Sequence, residues 1–421
     1  MKILVVGGGG REHAIIKKLR ENPEVREVFA LPGNGGIALE ATCAPIGATE
    51  IERIRDFAVE KAVDFAVVAP DDPLVLGCVD LLEASGIPCF GPNKAAAIIE
   101  GSKVFSKELM KKYGIPTASY DVFESADEAL KFVEGSETFP MVIKADGLAL
   151  GKGVIIAESK DGALDAIRSI MLDRVFGESG KRIVIEEFLT GPEVSVLSFT
   201  DGKTIVPMVS SMDHKRALDG DKGLNTGGMG AIAPNPYYTE EIQKRCMEEI
   251  FLPTIRAMNA EGRTFKGCLY FGLMLTEKGP KVIEYNCRFG DPETQVVLPL
   301  IKTDLLTIMK AVREGTLSEV EVEFSSGSAC CVVMASGGYP QEYEKGKEIT
   351  FSDTKDAIIY HAGTRLENGK ILTNGGRVLG VTATADTLPE AIKKAYEAVK
   401  GVRFEGAHYR RDIGARALQK Q

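Results

Sequence analysis

Three features are missing from this sequence, and each absence argues against a class of protein. In 421 residues no apolar run approaches the roughly 18 residues that a membrane-spanning helix needs. The eight cysteines show no Cys-x-x-Cys spacing, which argues against a zinc site and favours reduced, buried thiols. The formal charge of -9 argues against an extended nucleic-acid surface. We therefore expect a cytoplasmic protein that binds neither a membrane nor a nucleic acid.

The N-terminus also lacks a signal-peptide layout, because Met1-Lys2 runs directly into an apolar strand. Glycine, by contrast, is abundant: the chain has 45, against roughly 7% of residues in an average protein. Many of them cluster in short loops where the backbone must approach something closely. The length suggests roughly two to four domains.

A glycine-rich turn follows the first predicted strand. Residues 3–6 are apolar, Gly7 to Gly10 follow, and residues 11–16 open a helix. The free N–H groups and the dipole of such a helix start attract phosphate. Position 12 is Glu12, where a dinucleotide fingerprint would have its third glycine, so we predict a sugar-phosphate site instead. The alternative is a close-packed turn without a ligand.

Asp71 follows another predicted strand, residues 65–69. Ligands of open α/β sheets bind beyond the carboxyl ends of the strands. Asp71 is therefore a candidate for ribose hydroxyls, although a helix N-cap explains it almost as well.

Lysines and glycines recur further along the chain. Lys103 and Lys107 lie one helical turn apart, and Lys144 stands on a strand before a loop with glycines at 147, 151 and 153. Such a hairpin loop can fold over phosphates while a lysine supplies positive charge; the alternative is a flexible, exposed hairpin. Glu186-Glu187 end another strand, which suits an adenosine edge or a merely solvated strand end.

The segment Glu284-x-Asn286-x-Arg288 ends a buried strand. Side chains two apart on an extended chain project from the same face, and carboxylate and amide oxygens suit Mg²⁺. Arg288 could hold a carboxylate through two parallel hydrogen bonds. The alternative is a strand end whose polar residues face water. We favour the metal site because lysine and glycine motifs precede it.

Residues 210–236 form a long polar, glycine-rich segment, which is typical of a substrate loop. His214 within it is interpreted as a loop cation or hydrogen-bond donor, since no orienting acid pairs with it. After Thr316 the chain has short predicted strands at 329–334, 358–361 and 377–384 and a helix at 388–399. This portion predicts a compact α+β unit without an obvious functional constellation of its own.

Taken in order, these motifs resemble the ATP-grasp ligases, and more closely their glycinamide ribonucleotide synthetase family. The resemblance is carried by Lys144, the 147–153 loop and Glu186 to Leu189, and by three longer motifs. These motifs are Gly9-Gly10-Arg11-Glu12-His13-Ala14, Asn225-Thr226-Gly227-Gly228-Met229-Gly230, and Glu284-x-Asn286-Cys287-Arg288-Phe289-Gly290-Asp291-Pro292-Glu293. They cover essentially the whole chain.

The resemblance implies a multidomain fold of α/β and α+β type. An N-terminal open parallel-sheet α/β domain would span 1–101, and an ATP-grasp core would span 102–118 and 191–323. A small lid subdomain would span 119–190, and a small C-terminal α+β domain 324–421.

It also implies an ATP-dependent ligation in de novo purine synthesis, with Mg²⁺ or Mn²⁺. Glycine's carboxylate would form glycyl phosphate, and the amine of 5-phosphoribosylamine would displace the phosphate. The alternatives are another ATP-grasp carboxylate-amine ligase or carboxylase with a different acceptor, or a nucleotide-binding regulatory protein without catalysis. We expect a monomer or homodimer of the single-function form.

The resemblance further assigns site residues, which we list by role. Nucleotide contacts are expected from Lys103, Lys144, Gly151, Lys152, Gly153, Glu186, Glu187, Phe188, Leu189 and Glu193. Metal ligands are expected to be Glu284 and Asn286. Substrate contacts are expected from Gly9, Gly10, Arg11, Glu12, Asp71, Asp213, Asn225, Thr226, Arg288 and Gly290. Catalytic roles are expected for Lys144, Asp213 and Arg288, with Asp213 on the glycine ammonium and Arg288 on its carboxylate.

Four positions depart from the pattern. Leu224 stands where proline is usual, Ile232 where tyrosine is usual, and Asp71 where a longer glutamate is common. Gly272 stands where related ligases outside the family often carry a further acidic metal ligand.

Overall fold

The N-terminal sheet has five parallel strands, in a computed structural model that describes residues 1–148 and 153–420. The strands are β1 (Lys2–Gly7), β2 (Glu27–Pro32), β3 (Thr42–Cys43), β4 (Phe65–Val68) and β5 (Cys89–Phe90), in the order β3-β2-β1-β4-β5. The helices are α1 (Gly10–Leu19), α2 (Ile51–Glu60), α3 (Asp71–Leu76), α4 (Cys78–Ala84), α5 (Lys94–Gly101) and α6 (Lys103–Tyr113). Alternate residues of β1 join two different hydrophobic cores, which explains why this strand is apolar throughout.

A small antiparallel sheet follows, with two helices packed on it. Its strands are β6 (Tyr120–Phe123), β7 (Met141–Ala145), β8 (Val154–Ala157) and β9 (Ile183–Glu187), in the order β6-β9-β7-β8. Its helices are α7 (Ala126–Glu134) and α8 (Lys160–Ile167). The predicted hairpin is confirmed, since Lys144 pairs with Val154 across β7 and β8. Gly151 and Lys152, to which we assigned nucleotide contacts, lie outside the described residues.

The central part of the chain contributes strands to three sheets. Its strands are β10 (Glu193–Thr200), β11 (Ile205–Pro207), β12 (Met212–Asp213), β13 (Arg216–Leu218), β14 (Lys222–Asn225), β15 (Gly230–Ala233), β16 (Gly267–Thr276) and β17 (Gly279–Asn286). Its helices are α9 (Glu240–Cys246), α10 (Leu252–Ala260), α11 (Thr294–Val297) and α12 (Leu305–Glu314). An antiparallel sheet has the order β11-β10-β16-β17, and β13 and β14 form a separate hairpin.

The C-terminal part has the predicted α+β character. Its strands are β18 (Ser328–Ala335), β19 (Thr350–Phe351), β20 (Ile358–His361), β21 (Thr364–Glu367), β22 (Lys370–Thr373), β23 (Arg377–Ala385) and β24 (Val402–Arg403). Its helices are α13 (Leu388–Val399) and α14 (Ala415–Leu418). The predicted fold class is thus confirmed, whereas the exact domain limits stay predictions.

One sheet crosses from the central part into the C-terminal part. Its order is β12-β15-β18-β23-β20, and β15 pairs antiparallel with β18, with Ile232 opposite Cys330. Ile232 is fully buried in the C-terminal core, so an apolar residue satisfies this position. Backbone hydrogen bonds therefore tie the two parts into one structure.

The cysteines are free, and all but the half-buried Cys43 are buried, as the sequence predicted. No helix within residues 1–148 and 153–420 has the length and apolar character that crossing a bilayer requires.

Phe199 links the N-terminal sheet to the segment after β17. Its fully buried ring lies with the rings of Phe90 and Phe289, at centroid distances of 6.4 and 6.0 Å. Rings at such distances contribute edge-to-face attraction in addition to their buried area.

We expect Phe199→Ala to lower the apparent free energy of unfolding by about 3–5 kcal/mol, because it leaves a cavity between packed units. Chemical denaturation followed by circular dichroism measures this. The control is Phe351→Ala, whose ring is 42% exposed and whose loss should change stability by only about 0.5 kcal/mol. Equal losses of unfolding free energy in the two variants would contradict the role of Phe199 in linking the packed units.

Candidate active site

Glu284 and Asn286 lie two residues apart at the end of β17. Glu284 pairs with Gly272 and Asn286 with Tyr270 across the ladder to β16, where a register shift separates Gly272 from Leu273. A Cβ atom at Gly272 would lie 2.9 Å from Cγ of Glu284. The departure at Gly272 therefore leaves room for the Glu284 side chain.

Glu284 is ionised because cations surround it. Burial opposes this, but the nearby positive charges outweigh burial and lower the pKa of Glu284 below its usual value. The charges belong to Lys215, Lys144, Lys103 and Arg288. Lys215 is the nearest of them in the structure, with its Nζ 3.9 Å from Oε1 of Glu284.

Two lysines share the buried carboxylate of Glu186. Nζ of Lys144 lies 3.0 Å and Nζ of Lys107 3.2 Å from Oε1 of Glu186. Lys144 also donates to the carbonyl of Ile283 at 3.1 Å, which places it beside the strand that carries Glu284. Burial lowers the pKa of Lys107 to about 8. The sequence showed Lys107 but did not assign it a contact.

Lys103 connects helix α6 to the start of the glycine loop. Its Nζ donates to the carbonyl of Gly147 at 2.7 Å. Burial lowers the pKa of Lys103, partly offset by Glu284. Lys103, Lys144 and Glu284 therefore face a common space between the small sheet and β17.

Arg288 is held by acidic and amide oxygens. Its Nη2 lies 3.0 Å from Oε1 of Glu100 and 4.0 Å from Oδ2 of Asp71, and it donates to Oδ1 of Asn286 at 3.3 Å. Oε2 of Glu100 accepts from the backbone N of Cys287 at 2.7 Å. Glu100 was missed by the sequence reasoning, although a carboxylate at the end of an apolar helix was a usable signal.

The N-cap alternative for Asp71 is wrong. Pro70 occupies the N-cap position of α3, and Asp71 is the first helical residue. Burial tends to raise the pKa of Asp71, but the charges of Arg288 and Arg11 lower it below its ordinary value. Asp71 therefore belongs to the charged cluster around Arg288. Although aspartate is shorter than the glutamate common at this position, its carboxylate lies 4.0 Å from the Arg288 guanidinium.

The glycine turn before α1 packs against the segment that follows β17. The backbone N of Gly9 donates to Oε2 of Glu12 at 2.6 Å, while Arg11 donates from Nη1 to the carbonyl of Phe289 at 3.0 Å. The backbone N of Arg11 donates to Oδ2 of Asp291 at 3.2 Å. The carboxylate of Glu12 is buried and engaged by its own turn, so its local role is to hold the turn in shape.

A cavity of about 360 Å³ opens between this turn and the C-terminal part. On one side are Gly8, Gly9 and Asp291; on the other are Tyr339, Thr364, Asn374 and Arg377, together with the backbone of 362–363. Nη1 of Arg377 donates to the carbonyls of Gly227 and Asp291 at 2.7 and 2.9 Å. The C-terminal part, for which the sequence indicated no constellation of its own, thus contributes side chains to a cavity that it shares with the N-terminal turn. The glycines at 375 and 376, just before Arg377, were a signal for a close approach.

Asp213 ends β12 beside a second carboxylate. Burial raises the pKa of Asp213 well above its usual value, and the charge of Glu293 adds to the rise. Glu293 is buried and accepts from the hydroxyl of Tyr270 at 3.0 Å. A Cβ at Gly228 would lie 2.7 Å from Oδ1 of Asp213. Two neighbouring carboxylates with one raised pKa make a site that a cation would stabilise.

The remaining predicted contacts lie around these clusters. Glu187 accepts from Lys281 Nζ and from the backbone N of Ser119, both at 3.0 Å. Phe188 is 38% exposed just after β9, with the half-buried Leu189 next to it. Glu193 begins β10, 3.3 Å from Lys215 Nζ.

Asn225 ends strand β14 of the β13–β14 hairpin, and Thr226 follows it. Asn225 is exposed, while Oγ1 of Thr226 donates to the carbonyl of Lys215 at 2.8 Å. The carbonyl of Gly290 accepts from the backbone N of Thr294 at 3.2 Å. The roles assigned to all these residues stay predictions.

His214 is buried, and the interpretation as a loop cation is wrong. Its Nδ1 lies 3.2 Å from the carbonyl of Gly230, and its Nε2 accepts from the backbone N of Gly414 at 3.1 Å. Burial and the charge of Arg410 lower the pKa of His214 from 6.5 to about 4. It is therefore a neutral hydrogen-bond donor and acceptor between two chain segments.

The fold and the site together define an ATP-grasp enzyme. The small sheet that carries Lys144 faces β17, the strand of a second antiparallel sheet that carries Glu284 and Asn286. Models of the N domain, the ATP-grasp (A) domain and the C domain of phosphoribosylglycinamide synthetase match residues 1–100, 101–294 and 329–416. The chain belongs to the phosphoribosylglycinamide synthetase family, as the motifs predicted.

Similar proteins cover the chain almost completely. The phosphoribosylamine--glycine ligase of Clostridium acetobutylicum is 50% identical over 98% of this chain and 99% of its own length. That of Caldanaerobacter subterraneus subsp. tengcongensis is 48% identical over 99% and 100%. A crystal structure of the Thermotoga maritima phosphoribosylamine--glycine ligase superposes with a TM-score of 0.87 at 37% identity, over 98% of this chain and 100% of that one.

A more distant structure shares the fold alone. The biotin carboxylase domain of the Hydrogenobacter thermophilus 2-oxoglutarate carboxylase, crystallised with MgADP, superposes with a TM-score of 0.75 at 17% identity. It covers 97% of this chain and 91% of that one.

We predict that stability falls as the pH drops from 6.5 toward 4. The unfolded chain binds a proton at His214 in this window while the folded chain does not, so protonation favours unfolding. His214→Asn keeps an amide that can hydrogen-bond but does not titrate there, so its melting temperature should depend less steeply on pH. His13 and His361, whose pKa values burial also lowers, contribute to the slope in the same direction and are unchanged in the variant. Identical pH profiles for variant and wild type would refute this.

Proposed function

We propose that this chain joins glycine to 5-phosphoribosylamine at the expense of ATP, which is the second step of purine biosynthesis. The observation that carries the proposal is the ionised Glu284 carboxylate. The charges of Lys215, Lys144, Lys103 and Arg288 keep it ionised, and Nζ of Lys215 lies 3.9 Å from its Oε1. The curated relatives that span the whole chain are named for this reaction.

The nucleotide would lie between the small sheet and β17. Lys103 and Lys144 supply positive charge for its phosphates, and both now donate to backbone carbonyls that a phosphate oxygen could replace. The exposed ring of Phe188 offers a surface for the adenine. Glu186 and Glu193 are the nearby carboxylates for polar edges of the nucleoside.

A divalent cation, Mg²⁺ or Mn²⁺, would be held by Glu284 and Asn286. Their hard oxygen donors fit such an ion. The positive side chains around Glu284 lower its pKa and so keep its carboxylate ionised. Within residues 1–148 and 153–420 there is no cluster of three or more His, Cys, Asp or Glu side chains that could hold a metal. The other ligands would therefore be phosphate oxygens and water. The bound ion would neutralise charge on the transferring phosphoryl group.

Glycine would lie between Arg288 and the pair Asp213 and Glu293. The guanidinium of Arg288 suits the carboxylate, and its Nε has no hydrogen-bond partner in the described structure although it is buried. The two carboxylates suit the ammonium group. In this pose the glycine carboxylate attacks the terminal phosphate to give glycyl phosphate and ADP.

The phosphoribosyl group would occupy the cavity lined by Gly8 and Gly9 on one side and by Thr364, Asn374 and Arg377 on the other. The dipole at the start of α1 suits its phosphate, and the backbone N–H groups of Gly9 and Arg11, which now donate to Glu12 and Asp291, would have to change partners to bind it. The amine would then displace phosphate from the glycyl phosphate. Fixed positive charge and correct positioning are what both steps require of the protein.

Glycine dependence distinguishes this reaction from another ATP-grasp ligation with a different acceptor. The protein is mixed with ATP, Mg²⁺ and phosphoribosylamine, and phosphate release is followed with and without glycine. We expect release only when glycine is present. Release that does not depend on glycine would support the alternative, and no release under either condition would argue for a protein without catalysis.

Glu284→Ala should reduce turnover by a factor of about 10² to 10³, the usual effect of losing one positioned electrostatic group. Its folding should change little, because Glu284 is only half-buried. The matched control is Glu277→Ala, an exposed carboxylate in the turn of the same hairpin, which should leave turnover unchanged. Unaltered turnover in Glu284→Ala would place the metal elsewhere.

A further inference from the structure

A segment near the C-terminus, residues 408–416, lies across the β13–β14 hairpin and contacts it repeatedly. Nε2 of His408 lies 2.7 Å from the carbonyl of Ala217. The backbone N of Arg411 donates to Oδ1 of Asp219, and the backbone N of Gly220 donates to Oδ2 of Asp412, both at 2.8 Å. The contacts extend along β13 and through the turn that follows it. We call residues 408–416 the clamp segment.

Arg410 is the centre of the clamp segment. Its side chain is 1% exposed, which is exceptional for an arginine. Nη1 donates to the carbonyl of Arg216 at 3.1 Å and to Oδ1 of Asp221 at 2.9 Å. Nε and Nη2 donate to the two carboxylate oxygens of Asp412, both at 2.8 Å. A buried guanidinium with this many partners fixes the geometry of all of them.

The other side of the clamp segment is attached to the C-terminal core. The hydroxyl of Tyr396, on α13, donates to the carbonyl of Arg410 at 2.7 Å and accepts from the backbone N of Ile413 at 3.0 Å. The backbone N of Gly414 donates to the buried His214, next to the hairpin. The clamp segment thus connects helix α13 to the β13–β14 hairpin.

The hairpin needs such external support. All four residues of β14 are exposed, and within the part of the chain that the structure describes β13 pairs only with β14, with a register shift. Two-stranded hairpins without a core are marginally stable in water. Yet Lys215, at its start, lies close to Glu193 and Glu284, and Thr226, at its end, is bonded to Lys215.

We propose that Arg410 is a positioning residue for the ligase reaction, which holds the β13–β14 hairpin so that Lys215, Asn225 and Thr226 stay directed at the site. This inference rests on the proposed function. Arg410 touches neither the expected substrates nor the Glu284 cluster, so it acts only through the hairpin. Its loss acts mainly on Asn225 and Thr226, at the phosphoribosylamine side of the site, whereas Lys103 and Lys144, which face the nucleotide phosphates, lie on other elements.

The test compares Arg410→Met with wild type in the full chain. We expect faster amide hydrogen exchange across residues 216–226. We also expect a fall of about tenfold to a hundredfold in kcat/KM for phosphoribosylamine, the effect of misplacing a site by about 1 Å. The KM for ATP should change by less than about twofold, because Lys103 on α6 and Lys144 on β7 donate to backbone carbonyls outside the β13–β14 hairpin. Arg410→Lys should recover only part of the loss, since an ammonium lacks the two-pronged fork.

Two further variants keep the test decisive. Asp221→Asn removes the charge opposite Arg410 from a partly exposed position with φ 54°, a conformation that asparagine tolerates, and should produce the same pattern more weakly even if Arg410→Met does not fold. Arg403→Met removes an exposed guanidinium from β24 and should match wild type.

The inference is overturned if folded Arg410→Met and Asp221→Asn exchange and turn over like wild type. It is also overturned if all substrates, ATP included, lose affinity in parallel with a lower Tm, because that pattern indicates only general destabilisation. A wild-type protein without glycine-dependent phosphate release would instead remove the proposed function, while the exchange measurement would still report on the clamp.

Discussion

The charge balance around Glu284 is the constraint on which the rest of the site depends. One carboxylate lies within the influence of Lys215, Lys144, Lys103 and Arg288, and their combined charge outweighs the effect of burial on its pKa. Each cation comes from a different element: the loop after β12, strand β7, helix α6 and the segment after β17, respectively. Moving any one of these elements would weaken this balance, because it removes a positive charge that opposes the effect of burial on the Glu284 carboxylate.

The same principle organises the neighbouring clusters. Arg288 needs Glu100 from the end of α5 and Asp71 from the start of α3, so the N-terminal sheet is tied electrostatically to the strand that carries Glu284. Arg377 reaches from β23 to the carbonyls of Gly227 and Asp291, which ties in the C-terminal part. The site is therefore a junction at which all the major parts of the chain contribute a charged group. That arrangement suits a ligation that must hold three substrates, because positioning and charge neutralisation are its main requirements.

Sheet pairing supports this junction mechanically. β15 leaves the central part to pair with β18, and β17 pairs with β16 along its length. The Asn225 to Gly230 segment lies between these two ladders. Its shape follows from close backbone approaches, such as that of Gly228 to Asp213 and Pro292, where any side chain would collide.

Much of the fold could be predicted because the local signals were strong. The β7–β8 hairpin around the glycine loop and the order of strands and helix after Thr316 both follow from apolar runs and turn residues, and the structure contains each of them. The interpretation of His214 as a loop cation was wrong because this side chain is buried. His214 lies in a polar, glycine-rich stretch, so nothing local indicated that Gly230 and Gly414 would enclose it.

The sequence by itself determined the elements and the chemistry of the short motifs: a carboxylate and an amide two residues apart on a strand, a lysine before a glycine loop, and a helix start that can bind an anion. These properties depend on neighbours within a few residues, where backbone geometry alone orients side chains. Only the tertiary structure decided which distant groups complete the site, namely Glu100 beside Arg288, Arg377 beside Asp291, and Arg410 beneath the β13–β14 hairpin. Their partners are as much as 194 residues away along the chain, and no local periodicity encodes a contact at that separation, because it arises from how whole sheets pack and pair.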